Sequence, residues 1–448
     1  MTAAHRTALF FTLFLVLGAV YTFAQDTPDS PNWNEVSVAR SYRVLSLEEA
    51  YTLAEQNSIA LQRQAIDLSF DRIRARNLWA QVFPSINITG GARYIIPNND
   101  SPRSDPSYTA SLNLRLDLNA GLPLTMANIS LAYRNSLLNY EQARRILINN
   151  TSKAFYSLLA QRNYLDVLEG TMQLAAQQFE RDRIARQSGF MGELDFLSSQ
   201  LSSERARLAY NRVQTEYRNN VGQFLTALGL DNAETVELDG SPPVLRVLVL
   251  DPERLIAERL FLRPDIIAQR NEIDRLKNSR NESILSARAP SVNLSASWGA
   301  SVDNGFDDTV SAGISVTIPI DSWIPGTRTA QSINRDSGEY QKAILELENM
   351  ERNARQEIRF FTENIGDTWT EVEINRLQVQ NSQRAYQLAE QSYRAGGMNF
   401  FNFETTRNRL TEARQQLLQS ELNYILLVLD LALILNLTAE ELLHYSAQ

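Results

Sequence analysis

The sequence lacks cysteine and has almost no histidine. Its 448 residues include no Cys and only two His, His5 and His444. Disulfides are therefore excluded, and stability must come from packing and assembly. So few His argue against a Ser-His-Asp triad or a His/Cys zinc site. The phosphate-binding motif GxxxxGK[ST] does not occur either. These absences predict a protein that is not an enzyme and uses no cofactor or metal.

Positive charge is also in the minority. Lys and Arg together number 43 against 52 Asp and Glu, which gives a net charge of -9. A nucleic-acid partner requires a basic surface that contacts phosphates. The composition therefore predicts no nucleic-acid partner.

The N-terminus is typical of a secretory signal peptide. An apolar run over residues 8–20 follows a short basic start, and small residues precede Gln25. This pattern predicts a signal peptide over residues 1–24, and the run is short for a membrane span of about 20 residues. Because residue 25 is not Cys, no lipid anchor is expected. We expect an exported protein with a polar, flexible leader over residues 25–44.

The most informative feature present is an internal duplication. Three landmarks recur at an offset of 206 or 207 positions. The matching pairs are PSIN at 84–87 and PSVN at 290–293, Gly189 and Gly396, and LTALGL at 225–230 and ALILNL at 432–437. A repeat of this length indicates two pseudo-equivalent halves of one fold.

Long stretches without helix breakers predict long helices. Ser46, with Glu49 three residues on, caps a helix expected to run to about Ala80. Residues 127–187 and 327–395 contain no Pro, and at 1.5 Å per residue they reach about 90–100 Å. Each is followed by a Gly turn and a returning helix of about 37–40 residues.

The two returning helices carry apolar residues at steps of three, four and seven. These positions are Leu194, Leu197, Leu201, Leu208 and Val213 in the first, and Leu410, Ala413, Leu417, Tyr424, Leu427 and Leu431 in the second. The spacing is typical of a coiled coil, and a simple amphipathic bundle is the alternative. The apolar run Leu422–Leu435 is short and contains Asp430, which favours a packed helix end over a membrane span.

Four segments alternate between apolar and polar residues with a period of two. We predict two strand pairs, 84–96 with 108–119 and 290–301 with 310–320. The polar face consists of Asn87, Thr89, Arg93, Asn113, Arg115, Asp117, Asn293, Ser295 and Thr317. The apolar face consists of Ile86, Ile88, Leu112, Leu114, Leu116, Val292, Leu294, Ile314 and Val316.

Such strands suit a membrane barrel with a polar interior and a lipid-facing exterior. Four strands cannot close a barrel, and open edges are not tolerated in lipid. Two copies would supply eight strands and three copies twelve, and the latter leaves room for a lumen. Tyr94 and Trp298 would then lie at a membrane interface or simply pack. A soluble sheet packed on helices is the alternative, although the long helices and the signal peptide favour the barrel.

In order and spacing, these residues resemble the TolC outer-membrane efflux proteins. The matching motifs are LEEA at 47–50, LAEQN at 53–57, LRPDI at 262–266, and Gly189 followed by Asp195 and Leu197. The resemblance implies a mainly α fold with a small transmembrane β part. It implies a homotrimer whose twelve-stranded barrel, in outer-membrane lipid, continues into a coiled-coil tunnel in the periplasm.

The resemblance also sets the expected domain organisation. A first repeat covers residues 45–230, with its hairpin tip near 189, and a second covers 256–437, with its tip near 396. The linker 231–255 and the C-terminal tail 438–448 would form an equatorial region.

The resemblance further implies two kinds of functional site. The hairpin tips would dock a periplasmic adaptor through Gly189, Phe190, Met191, Gly396, Gly397 and Met398. The gate candidates are Glu193, Asp195, Tyr393, Arg394, Asn402 and Glu404. Asn402 and Thr405 stand where some relatives carry aspartates, which weakens the case for cation selectivity. We expect Asp195 and Tyr393 to belong to a closed-state network.

These predictions describe a passive exit duct of a tripartite efflux or type I secretion system. Energy would come from an inner-membrane pump or ABC transporter, reached through the adaptor. The alternative is a non-conducting helical scaffold in the periplasm.

Overall fold

The computed structural model describes residues 42–94, 106–230, 235–302 and 306–446. The predicted signal peptide lies outside the described residues, as does the predicted leader as far as residue 41. The last residues assigned to the leader belong to the first strand, β1, Tyr42–Leu45. Regular structure therefore starts within the segment expected to be a flexible leader.

Helices dominate the described residues. The strands are β1, β2 Ser85–Arg93, β3 Ser107–Leu118, β4 Thr235–Leu238, β5 Ser291–Val302 and β6 Phe306–Thr317. The α-helices are α1 Leu47–Asn57, α2 Ile59–Arg76, α3 Leu122–Gln187, α4 Glu193–Ala227, α5 Pro252–Arg259, α6 Pro264–Arg288, α7 Arg328–Arg394, α8 Phe400–Ile434 and α9 Ala439–Ser446. Short 3-10 helices span Leu78–Val82, Leu260–Leu262 and Asp321–Trp323.

Two helices are long enough to define the shape of each half. Helix α3 has 66 residues and α7 has 67, so each is about 100 Å long. Pro123 is tolerated in α3 because it lies in the first turn, where the amide hydrogens have no helical acceptor. Each long helix pairs with the returning helix that follows it, α3 with α4 and α7 with α8.

The duplication reappears in the backbone at the helix ends. Gly189, Gly229, Gly396 and Asn436 have φ values of 76°, 76°, 75° and 57°, and each residue of the first half lies 207 positions before its counterpart. The amide of Leu230 donates to the carbonyl of Leu225 at 2.9 Å, as that of Leu437 does to Ala432 at 2.8 Å. The same left-handed cap therefore closes equivalent helices in both halves.

The first predicted helix is interrupted. Instead of running to about Ala80, it breaks at Ser58, which has an extended ψ of 110°, and α2 ends at Arg76. The Ser58 hydroxyl accepts a hydrogen bond from the Leu61 amide at 3.3 Å and so caps the new helix. Asn57 donates to the Leu228 carbonyl at 2.8 Å. This contact with the end of α4 is invisible in the local sequence.

The strands form two separate sheets. Strands β1 and β4 pair in parallel, and the larger sheet is antiparallel in the order β2-β3-β5-β6. Three of the four strands of the larger sheet follow the predicted ranges closely. The fourth, β6, starts at Phe306 and ends at Thr317 rather than covering 310–320. Pro319 has no amide hydrogen for the ladder, which is consistent with the earlier end.

Two apolar cores occupy equivalent places in the two halves. In the first half, Leu45, Phe155, Leu159, Leu228 and Leu238 are among the buried residues that join β1 and β4 to the long helices. In the second half the core includes Leu255, Leu260, Ile358, Leu431, Leu435 and Leu442. The predicted linker and tail therefore contribute β4, α5 and α9 to packed structure rather than to free connections.

One described helix, α8, is long and apolar enough to span a membrane. Its apolar C-terminal half contributes Tyr424, Leu431 and Ala432 to the second core. Leu431 is fully buried. These contacts favour the interpretation of this run as a packed helix end.

A buried ionic cluster fixes the start of α6. Arg263 donates to both carboxylate oxygens of Asp265, at 3.1 and 2.8 Å, and to Glu357 on α7 at 2.8 Å. Arg263 is buried, whereas both acids are partly exposed. Burial alone would raise the pKa of Asp265, but the hydrogen bonds and charge of Arg263 more than offset this, so the pKa lies below its ordinary value.

Replacing Arg263 with Met should lower the free energy of unfolding by about 2–3 kcal/mol, because two carboxylates lose their partner in a partly buried site. Arg275→Met is the matched control on the same helix. The side chains of Arg275 and Glu272 are 40% and 36% exposed, so this more solvated ion pair should contribute less than about 1 kcal/mol. Thermal unfolding of the two variants tests the difference, and equal losses would contradict it.

The interaction of Asp265 with Arg263 should also make the free energy of unfolding depend on pH. A carboxylate whose pKa is lower in the folded state contributes stability above its unfolded value, about 3.9. That contribution is lost as the pH falls through the lower folded pKa, so the difference between wild type and Arg263→Met should narrow below about pH 4.

Candidate functional site

The register of the larger sheet gives it one polar and one apolar face. Asn87 pairs with Asn113, Thr89 with Ser111, and Asp117 with Asn293. Directly paired residues share a face, and faces alternate along each strand. All nine residues assigned to the polar face therefore lie on the same side of the sheet.

The apolar face is uncovered in the single chain. Ile88 and Val310 are each 80% exposed, and Ile314 is 76% exposed. Ile86 pairs with Leu114, and Leu294 pairs with Ile314. A continuous exposed apolar surface of this kind is rare on soluble monomers and marks a membrane or protein contact.

Exposed aromatic residues lie at both ends of the larger sheet. Tyr94, Tyr108 and Phe306 lie at the end that carries the β2–β3 and β5–β6 connections, and all are more than half exposed. At the opposite end, Trp79, Phe83 and Trp323 are exposed beside the first residue of β2 and the last residues of β6. Aromatic girdles above and below an apolar band are typical of barrels in outer membranes.

Of the two positions expected for Trp298, a membrane interface or simple packing, its place in the sheet fits the second. It pairs with Leu112 and Val310 in the middle of the apolar face. Trp79 and Trp323, which the sequence analysis did not single out, are the tryptophans at the sheet end. Their position depends on the 3-10 helices that precede β2 and follow β6, which carry no alternating pattern.

The sheet ends in two open edges, β2 and β6. Neither edge has a further strand within the described part of the chain. An open edge exposes unpaired backbone groups, which cost several kcal/mol each in hydrocarbon.

The two hairpin tips differ in their exposed surface. Gly189 and Gly396 take positive φ, as a tight reversal requires, but Gly397 does not. At the first tip Phe190 is 89% exposed, and Met191 is half-buried.

At the second tip the exposed apolar residue is Phe401 rather than Met398. Met398 packs with Tyr393 against Phe400 and Phe403. Met398 is therefore only partly available for docking, since its half-buried side chain packs beside the tip.

The gate candidates do not form one cluster. Glu193 pairs with Arg186 across the first tip at 3.4 Å, and Arg394 pairs with Glu390 at 2.5 Å. Asn402 is exposed, and its backbone amide donates at 2.9 Å to Oδ1 of Asn399, the N-cap residue of α8. Glu404 lies 3.6 Å from Arg407 on the same helix.

Tyr393 is joined to Asp182 by a hydrogen bond, and the charge of Asp195, expected in the same network, also contributes to its raised pKa. Its hydroxyl donates to Oδ1 of Asp182 on α3 at 3.2 Å, and it makes no hydrogen bond to Asp195 among the described residues. Asp182 also accepts hydrogen bonds from Gln178 at 2.7 Å and from Ser199 on α4 at 2.6 Å. One buried carboxylate thus joins α3, α4 and α7.

The electrostatics of this pair are consistent with its geometry. Burial and the neighbouring Asp182 carboxylate raise the pKa of Tyr393, so its hydroxyl remains protonated and donates. Its ring stacks on Phe403 of α8 with centroids 4.9 Å apart. We name Asp182, Gln178, Ser199 and Tyr393 the Asp182 cluster.

A second buried charge, Arg407 of α8, contacts α4 one turn beyond Ser199. Arg407 on α8 donates to Ser202 at 2.5 Å, and burial lowers its pKa. Within the described residues, its Nε has no hydrogen-bond partner. Ser199 and Ser202 thus connect α4 to a buried acid and a buried base.

Sequence reasoning missed Asp182 and Arg407. A signal was present, because Ser199 and Ser202 are small polar residues three positions apart on a side of α4 other than its apolar stripe. Without the tertiary packing, however, a buried Asp on a highly charged helix cannot be told from a solvated one.

Among the described residues, no group of three or more His, Asp or Glu side chains is arranged to hold a metal ion.

Comparisons with known proteins give a consistent result. The family model for the outer membrane efflux protein matches residues 50–230 and 255–437. The chain is 26% identical over 403 residues to the probable efflux pump outer membrane protein TtgC of Pseudomonas putida, covering 85% of this chain and 80% of the relative. The antibiotic efflux pump outer membrane protein ArpC, also of Pseudomonas putida, gives the same values.

Solved structures show the same fold at low identity. The Campylobacter jejuni CmeC outer membrane channel superimposes with a TM-score of 0.72 at 16% identity. The match covers 87% of this chain and 85% of that one.

Proposed function

Because the chain belongs to the outer membrane efflux protein family, we propose that three copies of it form a passive exit duct through the outer membrane. The larger sheet supports this proposal most directly. Its exposed apolar face, aromatic ends and polar opposite face fit a wall between lipid and water. The two hairpins of about 100 Å would extend the duct through the periplasm.

The open edges require that copies share one barrel. Each edge strand, β2 or β6, would pair with the other edge of a neighbouring copy, which leaves no unpaired backbone in lipid. Twelve strands from three copies enclose a wider interior than eight, whose lumen is nearly filled by side chains. The nine polar-face residues would then line the lumen.

Helix α4 supplies a second surface for a neighbouring copy. Leu194, Leu197, Leu201 and Leu208 are at least half exposed in the single chain, although their spacing predicts burial. We name them the α4 leucine stripe. Ser199 and Ser202 mark the face of α4 that packs within the chain, so the stripe lies on another side. We propose that it packs against the next copy in the tunnel wall.

The hairpin tips are the proposed docking site of a periplasmic adaptor. Phe190 and Phe401 present large apolar side chains at the end of the hairpins farthest from the sheet. The adaptor would connect the duct to an inner-membrane pump or ABC transporter. The pump would supply the energy, and the duct itself would be passive.

The docking proposal predicts that Phe190→Ser weakens binding of the adaptor by tenfold or more, because burying a Phe side chain contributes about 1.5–3 kcal/mol. Phe190→Tyr keeps the ring and should bind nearly as well. Binding of purified adaptor from the same organism to detergent-extracted protein measures the effect. Equal affinity for all three proteins would contradict docking at this tip.

Two measurements on protein extracted by detergent from outer membranes test the proposed duct: its native mass and its conductance in planar bilayers. A trimer that conducts ions in planar bilayers is the expected result. Release of a monomer without detergent would favour the non-conducting periplasmic scaffold instead.

A further inference from the structure

Few charges lie on the polar face of the larger sheet. Within the described strands, this face carries only Arg93, Arg115, Asp117 and Asp307, and every other position is Ser, Thr, Asn or Gly. The two positive and two negative side chains balance. Arg93 and Asp307 lie at the end with the strand connections, and the other two lie near the opposite end.

Hydroxyl groups bonded to each other occupy the middle of this face. Thr89 and Ser111 are 2.6 Å apart, and Ser297 and Ser311 are 2.8 Å apart. The Asn113 amide donates to Ser111 at 3.2 Å. The hydroxyl pairs form hydrogen bonds between neighbouring strands, so the middle of the polar face is polar without formal charge.

The charges near the opposite end are held in direct contact. Arg115 Nε lies 3.3 and 3.1 Å from the two carboxylate oxygens of Asp117. Asn293, which pairs with Asp117 in the register, also donates to this carboxylate. The side chains of Arg115 and Asp117 are 64% and 63% exposed, so the pair faces water.

Contact between opposite charges removes most of their field at longer range. A solute several ångströms away encounters a small dipole rather than a unit charge, and salt screens that dipole within about 10 Å. An unpaired ring of like charges in a narrow pore would instead concentrate ions of one sign.

We propose that Asp117 is the selectivity-determining residue of the barrel, because it cancels Arg115 and so prevents the lumen from sorting solutes by the sign of their charge. The substrate class is then polar or amphipathic solutes that are cationic, anionic or neutral, limited by size and hydrogen bonding. This inference rests on the proposed function, since the polar face becomes a lumen only in the closed barrel.

Four variants in planar bilayers under a salt gradient test the proposal. Asp117→Asn leaves the charge of Arg115 unpaired and should raise the ratio of chloride to potassium permeability about fivefold, since an unscreened contact charge contributes on the order of 1 kcal/mol in water. Arg115→Gln should lower that ratio by a similar factor. The double variant should match wild type.

Asn293→Ala is the matched control, because it removes a hydrogen bond from Asp117 but keeps both charges. Its permeability ratio should equal that of wild type. Extraction of each variant as a trimer verifies folding.

Two failures are distinguishable. If the wild-type protein forms no channels, the proposed duct itself is wrong. If channels form but Asp117→Asn and Arg115→Gln shift the ratio in the same direction or leave it unchanged, the duct stands and the role of Asp117 is overturned.

Discussion

Replacing Asp182 with Ala is expected to increase single-channel conductance several-fold. Asp182 accepts hydrogen bonds from residues on three helices. The donors are Gln178 on its own helix, Ser199 on α4 and Tyr393 on α7. Each buried polar group left without a partner costs about 1–3 kcal/mol. The variant should therefore loosen the junction between the two hairpins near their tips, where we propose that the tunnel is gated.

A graded series makes this prediction specific. Tyr393→Phe removes one hydrogen bond but keeps the ring stacked on Phe403, so its conductance should lie between those of wild type and Asp182→Ala. Asp195→Ala is the comparison, because Asp195 makes no hydrogen bond to Tyr393 within the described residues and acts on it only through its charge. Its conductance should rise less than that of Asp182→Ala.

The opposite pattern would support a different gate. An increase with Asp195→Ala and none with Asp182→Ala would support a closed-state network centred on Asp195 rather than on Asp182. It would also show that the Asp182 cluster serves only the packing of one chain. Circular dichroism of both variants verifies that the long helices remain intact.

The double variant Leu197→Asn/Leu201→Asn is expected to abolish the trimer. Burial of a Leu side chain contributes about 1.5–3 kcal/mol. Two such residues in each of three copies would contribute about 10 kcal/mol to the assembly if the α4 leucine stripe packs between copies. Because both side chains are exposed in the single chain, the fold of each protomer should be retained.

Arg207→Gln is the matched control for the stripe. Arg207 is exposed on another side of α4, where it pairs with Glu204 at 2.6 Å, and its loss should leave the trimer intact. Native mass in detergent distinguishes the variants. A double variant that remains trimeric and as stable as wild type would contradict the proposal that the α4 leucine stripe packs between copies.

The local sequence pattern was sufficient to predict structure where the residues that decide it are close along the chain. The alternation in β2, β3 and β5 predicted the two faces of the larger sheet, because side chains of a strand alternate with a period of two whatever the strand pairs with. The apolar spacing on α8 likewise predicted the burial of Leu410, Ala413, Tyr424 and Leu431.

Local pattern was insufficient wherever a distant segment decided the outcome. The break at Ser58 accompanies a contact between Asn57 and the end of α4. The same apolar spacing that is buried on α8 is exposed on α4. Spacing shows that a stripe exists, but it does not show which neighbour covers it.

The sequence by itself determined the duplication, the long helices with their glycine turns, and the two-faced strands, because periodicity, glycine and the absence of proline act over a few residues. Only the tertiary structure decided the strand order β2-β3-β5-β6, the union of Tyr393 with Asp182, the contact of Asn293 with Asp117 and the place of Trp79 and Trp323 at the sheet end. The strand order and the two contacts join residues that are remote along the chain, and the two tryptophans are placed by short 3-10 helices that carry no periodic pattern.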